Sequence, residues 1–138
     1  MRVVYLESSA LLHWLLGQSE AAEVRSKIDR AEVVVTSQLT VLEAERALLH
    51  AENRNALKEG DARRLRGLLN KVQVSWTRMA VSDEILDRAS RAFPVEPVRT
   101  LDAIHLATAL EFTAAFPELV VLSFDRRIRD NAEALGIA

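Results

Sequence analysis

The chain has no cysteine anywhere in its 138 residues. That absence excludes disulfide staples, thiolate metal sites and cysteine nucleophiles together. Any metal must be held by oxygen or imidazole donors, and a reducing cytoplasm is the simplest compartment. Positive charge is not in excess either: 18 Lys and Arg stand against 20 Asp and Glu, a net −2 at pH 7. A domain that grips nucleic acid through bulk charge is basic. Contact with a polyanion would here need a local arginine patch, a bound cation or the groove of a dimer. No apolar run approaches the ~20 residues of a membrane span. The opening Met1–Leu6 stretch is cut short by Glu7 and does not read as a signal peptide. The four glycines are scattered, so no glycine-rich loop cradles a phosphate. Repeats and low-complexity tracts are also missing.

What is present is alternation. Short apolar runs alternate with helical patterns, which points to a single α/β domain over residues 1–138 with a mainly parallel sheet. Val3-Val4-Tyr5-Leu6 reads as a buried strand, and Ser8 or Ser9 opens an apolar helix to Leu16, stopped by Gly17. Ser19 is the expected cap of a second helix, with Glu20 and Glu23 in its first turn. Val33–Thr36 is the next strand, and a long helix runs from Gln38 to His50 or Asn53. Residues 53–60 read as a loop, with Asp61 capping a helix that carries Leu65, Leu68, Leu69 and Val72 on one face. A short strand follows within Val74–Met79. Ser82 caps a helix bearing Ile85, Ala89, Ala92 and Phe93, and Pro94 and Pro97 mark a rigid loop. Thr100 is the expected cap of a helix over Leu101–Ala115, before a strand at Leu119–Ser123 and a last helix at Ile128–Leu135.

Four acids occupy equivalent places in this pattern. Glu7 directly follows the first strand, Glu43 lies in the first turns of the long helix, Asp102 in the first turn of the Leu101 helix, and Asp125 just past the last strand. In an open parallel sheet the strand C-termini and the following helix N-termini share one edge, where ligands bind. Carboxylates from four separate segments crowded there would repel one another unless a cation neutralised them. Mg2+ or Mn2+ is the natural choice for such oxygen donors. Each acid taken singly also has a structural reading. Thr40-Val41-Leu42-Glu43 fits a capping box, Asp102 complements a helix dipole, Asp125 fits a cap or turn, and Glu7 fits the first exposed residue after a strand.

The motifs around these acids resemble the PIN-domain family, in particular its VapC-like toxin ribonucleases. Val4-Tyr5-Leu6-Glu7-Ser8-Ser9-Ala10-Leu11 resembles the opening strand of that family. Ser37-Gln38-Leu39, with Glu43 and Arg46-Ala47-Leu48, resembles its second acidic motif. Arg99-Thr100-Leu101-Asp102-Ala103-Ile104-His105-Leu106-Ala107-Thr108-Ala109 resembles the third motif, and Ser123-Phe124-Asp125-Arg126-Arg127-Ile128 the fourth. The Arg99–Ala109 stretch is the most specific, and the similarity spans nearly the whole chain in family order. The resemblance implies a three-layer α/β/α domain with a short, mainly parallel sheet. It also implies a metal-binding and catalytic acidic set of Glu43, Asp102 and Asp125, with Glu7 at the position of the leading acid. There the family normally has aspartate, and this is the one departure. The extra methylene moves the carboxylate by roughly 1 Å, a displacement that can cost ~10²-fold in rate.

The activity implied is Mg2+- or Mn2+-dependent endoribonucleolysis. A cation would offset charge on the attacked phosphate and acidify water, while Asp102 or Glu7 orients or deprotonates it. Hydrolysis would leave a 5′-phosphate and a 3′-hydroxyl. Ser9 is a candidate to support an acid through a hydrogen bond, or simply a helix-start serine. His105 shares a helix face with Asp102 and is a candidate donor or substrate contact, or a partly buried structural histidine. Arg126, with Arg127 and Arg129, is a candidate for RNA phosphates, whereas Arg63, Arg64 and Arg66 fit a solvated helix face. Trp14 and Trp76 are candidate stacking platforms, with core or interface packing the simpler reading for Trp14. The family further implies a homodimer and a small antitoxin protein as partner. The apolar helix of Leu11, Leu12, Trp14, Leu15 and Leu16 is expected to supply part of an interface. The alternative is a degenerate PIN domain that binds RNA or an antitoxin-like partner with little catalysis, Glu7 being its main support. A receiver or phosphatase also places acids at the end of a first strand, but a receiver wants a lysine near a late strand where Asp125 is followed by arginines.

Overall fold

A computed structural model describes residues 1–138. Four strands form one parallel sheet in the order β3-β2-β1-β4, with β1 at Val3–Leu6, β2 at Val33–Ser37, β3 at Thr77–Met79 and β4 at Val120–Leu122. Tyr5 pairs with Val35 on one side and Val121 on the other. Seven helices connect and cover the strands: α1 (Ser8–Leu15), α2 (Ala21–Arg30), α3 (Gln38–Asn53), α4 (Glu59–Val72), α5 (Asp83–Ala89), α6 (Thr100–Phe112) and α7 (Arg126–Ala134). No helix is long and apolar enough to cross a membrane.

The alternation of side chains along β1 divides the molecule into layers. Val4 and Leu6 face a core built with Leu11, Leu15, Val24, Ala44 and Leu69, which belong to α1 through α4. Val3 and Tyr5 face the opposite core, with Ala109, Phe112 and Ala132 of α6 and α7. A further cluster joins Ile85 of α5 to Leu106 and Ile128. This is the expected α/β/α arrangement. The helix α6 is buried on most sides, and Ala103, Ala107 and Ala109 are small enough to let neighbouring elements approach closely.

Several boundaries differ from expectation, mostly at helix starts. Glu20, not Ser19, is the N-cap of α2, and the Ser19 hydroxyl bonds instead to the Glu20 carboxylate at 2.7 Å. The helix α4 begins at Glu59 with Lys58 before it, so Asp61 lies inside the first turn rather than capping it. Ser37 caps α3, which places Thr40 within the helix and removes the capping-box role of Glu43. Arg99 is the N-cap of α6, making Thr100 its first helical residue, and α6 ends at Phe112. The Val74–Met79 segment is a 3-10 turn over Gln73–Ser75 followed by a strand of three residues. The helix α5 ends at Ala89, so Ala92 and Phe93 lie beyond it. Ser82 does cap α5, accepting from the Ile85 amide.

The α1 helix contributes to the core, with Leu12, Trp14 and Leu16 left half-buried. Leu11 and Leu15 are buried, and Leu12 and Trp14 pack against the same cluster. The exposed apolar side chains stand elsewhere, among them Leu42 and Leu49 on α3, Leu86 on α5 and Leu101 on α6. Trp76 is buried in the first core and offers no face for stacking on a base.

Candidate active site

Because all four strands are parallel, their C-terminal ends lie along one edge, and the chain leaves each of them there. Glu7 follows β1, α3 with Glu43 follows β2, and Ser123 and Asp125 follow β4. Asp102 enters in the first turn of α6.

Glu7 is only 4% exposed, unlike the exposed end-of-strand acid that one structural reading expected. Its backbone N–H donates to the Leu122 carbonyl at 3.1 Å, extending the β1–β4 ladder by one bond. Its Oε2 accepts from the Ser9 amide at 2.7 Å, the Ser9 hydroxyl at 2.6 Å and the Ser123 hydroxyl at 3.0 Å. Glu7 is thus the N-cap of α1. Burial pushes its carboxyl above the usual range, while the hydrogen bonds from Ser9 and Ser123 pull the other way. A buried carboxylate of this kind has much to gain from a cation.

Ser9 is a junction. Its hydroxyl oxygen donates to Glu7 and accepts from the Phe124 amide at 2.8 Å, so it ties the end of β1 to the turn after β4. Ser123 repeats the pattern: its hydroxyl donates to Glu7 and accepts from the Asp125 amide at 3.0 Å. Asp125 in turn caps α7 through Oδ1, which accepts from the Arg127 amide at 2.9 Å and the Ile128 amide at 3.3 Å. The cap reading of Asp125 is therefore correct, and it leaves Oδ2 for other work.

That second oxygen meets Arg99. The guanidinium donates from Nη2 to Asp125 Oδ2 at 3.1 Å and from Nε to Asp102 Oδ2 at 3.0 Å. Its pKa is raised by the hydrogen bond and charge of Asp102 first, then by the charges of Asp125 and Glu7. Asp102 itself is 6% exposed.

Glu43 joins the edge from α3 through a histidine. Its Oε1 stands 2.5 Å from His105 Nε2, and His105 Nδ1 is 2.8 Å from the Tyr5 hydroxyl. His105 is 2% exposed and Tyr5 fully buried. Arg126 starts α7 beside this edge, but its side chain is 93% exposed and turned to Asp130 at 3.7 Å. A cleft of about 780 Å³ runs along the open side of β4, touching Ser123 and Arg126, yet none of the four acids lines it. The acids stand on the strand edge, and geometry there says more about chemistry than the size of that neighbouring cleft.

As the side chains lie, no three of the acids and histidines close on a single point. The donors nevertheless fit a hard divalent ion: all are carboxylate oxygens, and Asp102 and Asp125 already share one cation, the Arg99 guanidinium. Arg99 is 63% exposed, so it can swing away without disturbing the core. Tyr5, Ser123 and Arg99 had no role assigned from sequence. The signals were faint: a polar residue in an apolar strand, a serine two positions before a motif aspartate, and a basic residue three positions before another.

Residues 4–134 match the PIN domain family. Ribonuclease VapC46 of Mycobacterium tuberculosis (strain ATCC 25618 / H37Rv) is 35% identical over 138 residues, covering 100% of this chain and 96% of the relative. The crystal structure of Mycobacterium tuberculosis VapC20, described as a Sarcin-Ricin loop cleaving toxin, superposes with a TM-score of 0.66 at 13% identity, over 98% of this chain and 96% of that one. A chain of a toxin-antitoxin complex from Klebsiella pneumoniae gives a TM-score of 0.58 at 15% identity, over 88% and 86% of the two chains. The sheet order, the acids gathered at its edge and these matches agree, and the chain belongs to the PIN-domain family, within which it is VapC-like.

Proposed function

We propose that this chain is a divalent-metal-dependent endoribonuclease, the toxin of a toxin–antitoxin pair. One observation supports this most: carboxylates from four separate segments are delivered to one strand edge, where two of them share a cation. The relative named as a ribonuclease, matched over the full chain, supports the substrate class. Glu7, Glu43, Asp102 and Asp125 would hold Mg2+ or Mn2+. When bound, the ion supplies Lewis-acid charge against the attacked phosphodiester and an acidified water. Asp102, in the first turn of α6, or Glu7 would orient the attacking water and take its proton. Ser9 and Ser123 hold Glu7 in place, and the arginines that open α7 would contact phosphates of the RNA.

The partner would be a small basic antitoxin segment complementary to this acidic edge. A homodimer in the cytoplasm completes the proposed assembly. The second reading, an RNA- or partner-binding domain with little catalysis, is favoured by one specific feature: Glu7 is tied down by three hydrogen bonds to Oε2 and one to Oε1. Cleavage of total RNA with end mapping separates the two. Catalysis requires Mn2+-dependent, EDTA-sensitive cutting that leaves 5′-phosphates and falls at least ~10²-fold in Asp102→Asn, as loss of a proton-transferring group does. Equal cutting by wild type and Asp102→Asn would mean a contaminant and would overturn the enzyme reading. RNA binding without cutting by wild type, with cutting gained in Glu7→Asp, would establish the binding reading.

A further inference from the structure

Behind Glu43 lies a polar chain that metal coordination alone does not require. Tyr5 sits mid-strand in β1 and is fully buried, and His105 is 2% exposed on the largely buried helix α6. Two apolar side chains would fill the same space without desolvating a phenol and an imidazole. The rings do pack, at 75° with centroids 6.0 Å apart, but packing explains neither heteroatom. The hydrogen bonds explain both: the Tyr5 hydroxyl lies 2.8 Å from His105 Nδ1, and His105 Nε2 lies 2.5 Å from Glu43 Oε1.

The chain has a direction. A carboxylate can only accept, so the His105 Nε2 that meets Glu43 Oε1 must carry a proton. A phenol donating to Nδ1 leaves Nε2 as the protonated nitrogen of a neutral imidazole, and Nε2–H then donates to the carboxylate. Proton donation runs from β1 through α6 to α3, joining both faces of the sheet at its C-terminal edge. A glutamate side chain has three rotatable bonds and swings widely on an exposed helix. Here one oxygen is fixed, while Oε2 makes no hydrogen bond to the protein and remains for a ligand.

We propose that Tyr5 and His105 are positioning residues that hold Glu43 through one carboxylate oxygen and present the other to the divalent cation. This rests on the metal-site reading given above. Neither residue touches the ion or the RNA, and His105 is therefore not a substrate contact. Outer partners that orient a ligand typically contribute 10–100-fold to metal affinity, and the relay should fall in that range.

The test uses the full chain and Mn2+. Tyr5→Phe is the variant of choice, because it removes one oxygen and keeps the ring in the core. Its Mn2+ affinity, measured by electron paramagnetic resonance titration, should fall roughly 10–100-fold, and that of His105→Gln, which keeps an N–H near the Nε2 position, should stay closer to wild type than that of His105→Ala. In a Glu43→Ala background, Tyr5→Phe should change Mn2+ affinity no further. Independently of metal, 15N spectra of the histidine rings should find His105 of metal-free wild type as the Nε2–H tautomer, and this preference should be lost in Tyr5→Phe. An Nδ1–H tautomer in wild type overturns the relay, as does an equal effect of Tyr5→Phe with and without Glu43. Wild-type Mn2+ binding that Tyr5→Phe leaves unchanged overturns the relay and spares the metal site. Failure of wild type to bind Mn2+ overturns the site reading and the relay's role with it.

Discussion

Asp102 and Asp125 are held together through a single guanidinium, that of Arg99, at 3.0 and 3.1 Å. One carboxylate opens α6 and the other caps α7, so Arg99 is both a clamp between two helix N-termini and a cation at the place where a metal would be expected. The guanidinium and a divalent ion then compete for the same oxygens.

Arg99→Gln should consequently strengthen Mn2+ binding. Arg99 is largely exposed, and exposed ion pairs are weak, so the gain should be about fivefold or less. In the absence of metal the same variant should unfold slightly earlier, since two acids lose their counter-ion. Unchanged or weaker Mn2+ binding would mean that Arg99 assists the site rather than competing for it.

Ser9 makes a different prediction. Its hydroxyl serves Glu7 and the Phe124 amide at once. Ser9→Ala leaves that amide without its partner and Glu7 without its shortest bond, at a cost of about 1–3 kcal/mol in urea unfolding. Ser9→Thr keeps the hydroxyl and should recover most of the loss. A Ser9→Ala protein as stable as wild type would show that the turn after β4 does not depend on this link.

Glu7 should leave a signature in the pH dependence of stability. Its folded-state pKa is raised, chiefly by burial. The stability linked to it is therefore fully present below the ordinary glutamate pKa of the unfolded chain and is lost as pH rises through the higher folded value. Unfolding free energies measured in EDTA across that acid window should fall with rising pH in wild type relative to Glu7→Gln. Added Mn2+ should reverse the loss above the window by binding only the folded form. Parallel curves for the two proteins without metal would remove the premise that Glu7 is ionised at a cost.

The sheet and its helices were legible because burial patterns report on layers. Val3–Leu6 and Val33–Thr36 read as strands since both faces of a parallel sheet are covered, and Leu65, Leu68 and Leu69 marked the buried side of α4. The four acids were legible as a set by their common place after strands and at helix starts. Single-residue capping rules found the starts of α5 at Ser82 and α7 at Asp125 but missed others. At Ser19 and Asp61 the chain begins its turn one residue or more away from the best-looking cap, because packing decides the entry angle. Thr40-Val41-Leu42-Glu43 satisfied a capping-box pattern while lying inside a helix already capped by Ser37. His105 was legible as a donor, but its partners Tyr5 and Glu43 were not. These bonds join residues far apart in the chain, and no local pattern records which way a tyrosine hydroxyl in a strand points. The apolar side of α1 was equally ambiguous, since a core face and an interface face have the same composition.

The most direct test is an anomalous difference map from crystals grown with Mn2+. A peak should lie at the C-terminal edge of the sheet, within ~2.0–2.2 Å of oxygens from at least two of Glu7, Glu43, Asp102 and Asp125, as hard divalent ions require, with Arg99 turned away from Asp102 and Asp125. A peak elsewhere, or none at saturating Mn2+ with Arg99 still bridging the two aspartates, would contradict the claim that these four segments converge to hold a metal.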